Sequence, residues 1–291
     1  MTATVAQPSS GAAVAGMPVA LLDHIEWPVK LSVFAYGVHV GVRVNDPAVA
    51  EGLAHHLPPG SQCAELSDAG RVYSLVIEDG ARAGRPRKAV YVNGVLLARC
   101  STLRGLLRAF ESDVQLYVAE MAPERVFVHA GVVGYRGRGI LLPGRSFAGK
   151  STLVAELVRA GAEYYSDEYA VLDSLGGVHP YARPISIRQK GSPDVTKQPV
   201  DTLGGHVGSA PLPVGLVVLS KFRSGGEWRP LRLSPGRGLL ALLDNTVAAR
   251  RIPEIALATL HRVVTRAPII TSERGEASNV VEPILELAAQ S

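Results

Sequence analysis

The chain has 291 residues, 30 Lys+Arg against 26 Asp+Glu, and 47% hydrophobic residues. A net charge of +4 is too dilute for a nucleic-acid binder, and this apolar content excludes a disordered chain. Two cysteines, Cys63 and Cys100, can build neither a disulfide framework nor a four-ligand zinc site, which fits a reducing compartment.

Met1–Val19 carries no Lys or Arg ahead of its apolar residues, so residues 1–20 read as a disordered lead-in rather than an export signal. The longest apolar run, near Leu212–Ser220, is about half the ~18–20 residues a bilayer span needs. The expectation is a cytoplasmic protein without membrane contact.

From Leu31 to Val44 the even positions Phe34, Tyr36, Val38, Val40, Val42 and Val44 are apolar, which predicts one half-buried strand with a break at Gly37 or Gly41. Asp46-Pro47 opens a short helix to about His56, and Arg71–Glu78 is a second strand. Gly80–Lys88 reads as an exposed basic loop. Val90–Leu97 is a hairpin, because Asn93-Gly94 supplies the positive φ angles of a tight turn. Ser101 or Thr102 caps a helix to about Met121, with Leu103, Leu106, Leu107, Phe110, Val114 and Val118 on its apolar face. Residues 21–122 thus form a small α+β domain.

Residues 123–291 alternate strands and helices, which implies an α/β layer architecture. Strands Val126–Tyr135 and Gly139–Leu142 flank the turn at Arg136–Arg138, and a Gly-rich loop leads into a helix at Lys150–Ala160. Short strands near Tyr164–Ser166 and Tyr169–Asp173 follow. Pro180–Ser209 shows no clear pattern. Gly215–Lys221 is a strand, with helices at Gly236–Ala248 and Glu254–Thr265, a strand at Pro268–Thr271 and a last helix from Asn279.

One segment carries chemistry. Gly144-Arg145-Ser146-Phe147-Ala148-Gly149-Lys150-Ser151 fits G-x-x-x-x-G-K-[ST], with an apolar strand entering and an amphipathic helix leaving. Such a loop turns backbone N–H groups inward around phosphates, and the positive end of the following helix reinforces them. Lys150 would reach the β- and γ-phosphates, the Ser151 hydroxyl would ligate Mg²⁺, and Thr152 completes the first turn. The motif therefore predicts a nucleoside triphosphate site. About twenty residues on, Asp167-Glu168 can divide labour beside that site: one acid accepts a hydroxyl proton and the other serves the metal.

Phe127-Val128-His129-Ala130, Gly139–Leu142, the phosphate loop and Ser166-Asp167-Glu168 together resemble the catalytic domain of the HPr kinase/phosphorylase family. That resemblance implies a P-loop fold related to phosphoenolpyruvate carboxykinase, ATP and Mg²⁺ as cofactors, and transfer of a phosphoryl group to a seryl hydroxyl. It makes Asp167 the catalytic base and Glu168 the metal-side acid, where the family has a second Asp. His129 resembles the family's histidine before the loop, although a lone His on a strand of Phe127, Val128, Ala130 and Val132 is more often a satisfied half-buried residue. Pro235–Leu240 looks like the family's Gly-Arg-Asn segment, so Arg237 either reaches the phosphates or is an exposed first-turn residue. The family's Glu-Ile-Arg-Gly-Leu-Gly segment is absent, its place taken by Tyr181-Ala182-Arg183-Pro184-Ile185-Ser186-Ile187-Arg188, and the N-terminal domain differs. The chain looks more like divergent HPr-kinase-like proteins that modify peptides. The expected partner is thus a seryl-containing peptide or small protein, with a homo-oligomer as among relatives. A nucleotide-gated binding module and a small-molecule hydroxyl kinase remain as alternatives, whereas the absence of Asn-Lys-x-Asp lowers the GTPase option.

Overall fold

The computed structural model describes residues 22–65, 69–78, 87–144, 149–188 and 195–290. The expected lead-in at 1–20, most of the basic loop at 80–88, and Arg145, Ser146, Phe147 and Ala148 lie outside the described residues. The protein is mixed α/β and divides into two compact units: residues 1–33, 39–56 and 63–112 form one, and 34–38, 57–62 and 113–291 the other.

The first sheet has six strands: β1 (Val29–Ala35), β2 (Val38–Val44), β3 (Gln62–Cys63), β4 (Arg71–Glu78), β5 (Arg87–Val92) and β6 (Val95–Cys100). Their order is β3-β1-β2-β4-β5-β6, with β2 and β4 parallel. The single strand expected over Leu31–Val44 is two, because the chain reverses at Tyr36-Gly37, with φ of 51° and 83°. That two-residue turn moves the buried row from odd to even positions. Val33 and Ala35 are buried in β1, Val38 and Val40 in β2, and Phe34 is exposed. The Asn93-Gly94 turn joins β5 and β6 as the sequence indicates. Helix α1 (Leu103–Met121) is capped by Thr102, whose Oγ1 accepts from the Gly105 N–H at 3.0 Å. Phe110 meets Tyr73 edge to face at 5.1 Å. Trp27 packs against the cluster of Leu22, Val76, Ala89 and Tyr91, with the Arg43 guanidinium 4.5 Å over its ring.

The second unit is built on a curled sheet. Its strands are β7 (Val126–Tyr135), β8 (Arg138–Pro143), β9 (Glu163–Ser166), β10 (Tyr169–Leu172), β11 (Gly177–His179), β14 (Leu212–Phe222), β15 (Leu231–Arg232) and β16 (Ile269–Arg274). A separate two-stranded sheet of β12 (Ile185–Arg188) and β13 (Val195–Gln198) occupies part of the segment that shows no sequence pattern. The main order is β11-β10-β7-β8-β14-β16-β15; β9 also pairs with β7, and β11 pairs again with β14. β8, β14 and β16 run parallel, so their carboxyl ends share one edge. The α-helices wholly within this unit are α2 (Lys150–Arg159), α3 (Pro235–Leu243), α4 (Pro253–Arg266) and α5 (Val281–Ala289).

Alternation along the strands sorts two cores. Val126, Val128, Ala130 and Val132 of β7 join Leu242, Leu260 and Val263 of α3 and α4. Val133, Ile140 and Leu142 join Leu153, Val154 and Leu157 of α2 and Ile284 of α5. Trp228 packs partly buried against this second core. Gly131 lies on the α2 side; a Cβ there would stand 2.5 Å from Val154 Cγ2, so only glycine lets the helix settle this close. His129, two residues earlier on β7, shares that row. No helix among the described residues is long and apolar enough to cross a membrane.

Candidate functional site

The site lies where β8 ends and α2 begins. β8 leads out through Pro143 to Gly144, whose N–H donates to the His129 carbonyl at 3.1 Å. The chain re-enters at Gly149, in the left-handed region with φ 77° and ψ 20°, and Lys150 is the first residue of α2. Ser151 and Thr152 follow in the first turn. Gly149 at the N-cap has no side chain to offer the helix, and the first N–H groups of a helix are suited to an anion.

Asp167 and Glu168 form the turn between β9 and β10. Ser166 makes that turn: its Oγ accepts from the N–H of Glu168 at 3.1 Å and of Tyr169 at 3.0 Å. The Ala130 N–H donates to the Glu168 carbonyl at 3.2 Å, which pins the turn to β7 beside His129. Both Asp167 oxygens are oriented: Tyr164 Oη donates to Oδ1 at 3.0 Å, and the Ser186 N–H to Oδ2 at 3.0 Å. Arg183 Nη1 donates to Glu168 Oε2 at 2.9 Å.

The charges of this cluster act on one another. Burial lowers the Lys150 pKa, while the Asp167 and Glu168 carboxylates work the other way and favour its ammonium. Burial, with the Asp167 charge beside it, pushes the Glu168 carboxyl up to about 7, against the pull of Lys197 and Lys150. Burial and then the Lys150 charge hold His129 below its ordinary value, so the ring is neutral at pH 7. Its ring leans on Tyr169 with centroids 4.8 Å apart. Burial, with Asp167 adjoining, raises the Tyr164 hydroxyl well above the usual range, so Tyr164 remains a donor.

The fold thus brings His129, Lys150 and the Asp167-Glu168 pair together from three separate places in the sequence. Arg237 is exposed in the first turn of α3, and its side chain makes no hydrogen bond or ion pair among the described residues. Sequence reasoning missed Tyr164, Arg183 and Lys197. Arg183 falls in the segment that departs from the family pattern, where its identity alone could have signalled a partner for the acids. Lys197 is paired in register with Ser186, the residue that donates to Asp167. No group of three or more His, Cys, Asp or Glu side chains able to hold a metal occurs among the described residues.

No protein-family model and no curated protein matches the chain. Among solved structures, the HPr(Ser) kinase/phosphatase from Coxiella burnetii is similar at 18% identity with a TM-score of 0.34. The match covers 56% of this chain and 94% of that one.

Proposed function

We propose that this chain is an ATP- and Mg²⁺-dependent kinase that transfers the γ-phosphoryl group to a hydroxyl, that of a seryl residue in a peptide or small protein. One juxtaposition carries the reading. Lys150 opens a helix immediately after a Gly-x-x-x-x-Gly segment, within electrostatic reach of two carboxylates from a distant turn. A lysine and a helix N-terminus suit phosphates, and an oriented carboxylate beside them suits a hydroxyl.

Residues Gly144–Thr152 would cradle the phosphates, with Lys150 on the β- and γ-oxygens. Each Asp167 oxygen keeps a second lone pair after accepting one bond, so Asp167 can take the acceptor's proton. The hydroxyl oxygen then forms its bond to the γ-phosphorus as the bond to the departing ADP oxygen breaks. Tyr164 and the Ser186 N–H fix the carboxylate for that step, and positioning of this kind accounts for much of a phosphoryl-transfer rate. Ser151 and Glu168 are hard oxygen donors that fit Mg²⁺, and a cation there would favour the carboxylate that burial, and then the Asp167 charge, disfavour. When bound, the ion neutralises charge on the transferred group. His129, neutral, offers a hydrogen bond rather than a charge. Arg237 has no part in this version of the site.

The test is incubation with γ-labelled ATP and Mg²⁺, with and without lysate of the source cells, following label into protein, peptide and small-molecule fractions. Label in one peptide or protein species is expected, and Asp167→Asn should bind ATP yet transfer nothing. Lys150→Ala should lose the thermal stabilisation that ATP gives. Retained transfer by Asp167→Asn removes that residue from the base role. Bound ATP with neither label transferred nor phosphate released would instead indicate a nucleotide-gated binding module.

A further inference from the structure

Arg274, the last residue of β16, is 2% exposed, and no carboxylate lies within ion-pair distance of it among the described residues. Its guanidinium is held by neutral groups instead. Nη2 donates to the Gly149 carbonyl at 2.9 Å, Nη1 to the Gly275 carbonyl at 3.1 Å, and Nε reaches Ser220 Oγ at 3.4 Å. The Phe222 ring lies beneath, 5.8 Å from the guanidinium carbon. One side chain thereby ties the carboxyl ends of β14 and β16 to the turn that starts α2. The fit is close, since a Cβ on Gly149 would stand 2.6 Å from Nη2.

The placement is electrostatically adverse for the chain alone. A buried charge without a counter-charge is costly, and here the cation sits at the positive end of a ten-residue helix that already carries Lys150. Asp167 and Glu168 act on Lys150; among the described residues Arg274 has Glu276 acting on it, outside ion-pair distance. A polyanion over the start of α2 would supply the missing negative charge to both the helix end and the guanidinium.

We propose that Arg274 is a positioning residue for the nucleotide: its fork fixes the Gly149 carbonyl, and with it the first turn and Lys150, while its charge favours the bound phosphates from below. This rests on the reading of Gly144–Ser151 as a phosphate loop. Arginine is suited because its planar fork meets three acceptors at once, which an ammonium cannot do.

The experiment measures ADP and ATP affinity of the full chain by calorimetry across a KCl series, together with transfer kinetics, for wild type, Arg274→Lys and Arg274→Met. Arg274→Met should bind ADP about 10- to 100-fold more weakly, as expected for loss of charge-assisted bonds, with a flatter dependence of affinity on salt. Arg274→Lys should recover the salt dependence and only part of the affinity, with kcat falling more than KM rises. A merely structural role would lower stability without changing the salt slope. Folded Arg274→Met that binds ADP as tightly as wild type overturns the proposal. If the methionine variant does not fold, Arg274→Lys decides, because wild-type affinity and kcat in that variant show the fork is not needed. Wild-type protein that binds neither nucleotide overturns the phosphate-loop reading and this proposal together; unchanged binding by the Arg274 variants overturns only the latter.

Discussion

Gly131→Ala tests how far the site depends on the seat of α2. The added methyl would stand 2.5 Å from Val154 Cγ2, whereas carbon atoms rest about 3.5–4.0 Å apart, so strand and helix must separate by about 1 Å. Alanine in a strand recovers about 0.5–1 kcal/mol of the backbone entropy that glycine loses. Overpacking a dense core costs about 1–3 kcal/mol, and Val154 is fully buried, so destabilisation wins. The functional effect should be larger than the thermodynamic one. Lys150 opens the helix that is displaced, and a shift of about 1 Å at reacting groups costs on the order of 100-fold in rate. Urea unfolding and labelled-ATP turnover measure both quantities. Val154→Ala should cost stability alone yet relieve the clash, so the double variant should lose less than the sum of the two single losses. Unchanged turnover in Gly131→Ala, or strictly additive losses in the double variant, would refute the reasoning.

The His129 imidazole, followed by NMR and assigned with His129→Gln, should titrate below 6.5 and move upward in Lys150→Met, since part of its depression comes from that charge. Because the native ring binds its proton less readily than the unfolded one, its stability contribution is present above pH 6.5 and lost as pH falls through the native midpoint. Glu168 has the opposite sign: its native pKa of about 7 lies above 4.5, so stability falls as pH rises between those values. Glu168→Gln should flatten that stretch of the unfolding-versus-pH curve. Tyr164→Phe removes the hydroxyl that donates to Asp167 Oδ1 and should cost about 1 kcal/mol of stability. Turnover should drop in that variant with ADP affinity unchanged, and a drop in both would argue that Tyr164 supports the fold alone.

Local signals were legible in the sequence and distant ones were not. Asn93-Gly94 and Arg136-Gly137 announce their turns through residues that accept positive φ, and the structure places the reversals there. Gly37 is one of the two break positions the sequence marks, but the full reversal at Tyr36-Gly37 escaped because an apolar Tyr at the turn let the even-numbered pattern of β2 extend backward through Phe34. A two-residue reversal exchanges the buried row, and alternation alone does not register that exchange. The pairing of β11 with β14 and the hairpin of β12 and β13 depend on partners outside any local window. The acid turn was found because Asp167-Glu168 is a conspicuous pair. Arg183 is bound to Glu168 from fifteen residues away and Arg274 to Gly149 from 125, so no spacing rule exposes them.

The two tryptophans fall one to each compact unit, Trp27 in the first and Trp228 in the second. Trp27 lies under the Arg43 guanidinium, whereas Trp228 packs partly buried against the core that α2 joins. Trp27→Phe and Trp228→Phe therefore yield single-chromophore proteins in which each unit reports its own melting. In the Trp27→Phe protein the remaining signal comes from the core beneath α2, so nucleotide added to that variant is read by the unit that carries Lys150.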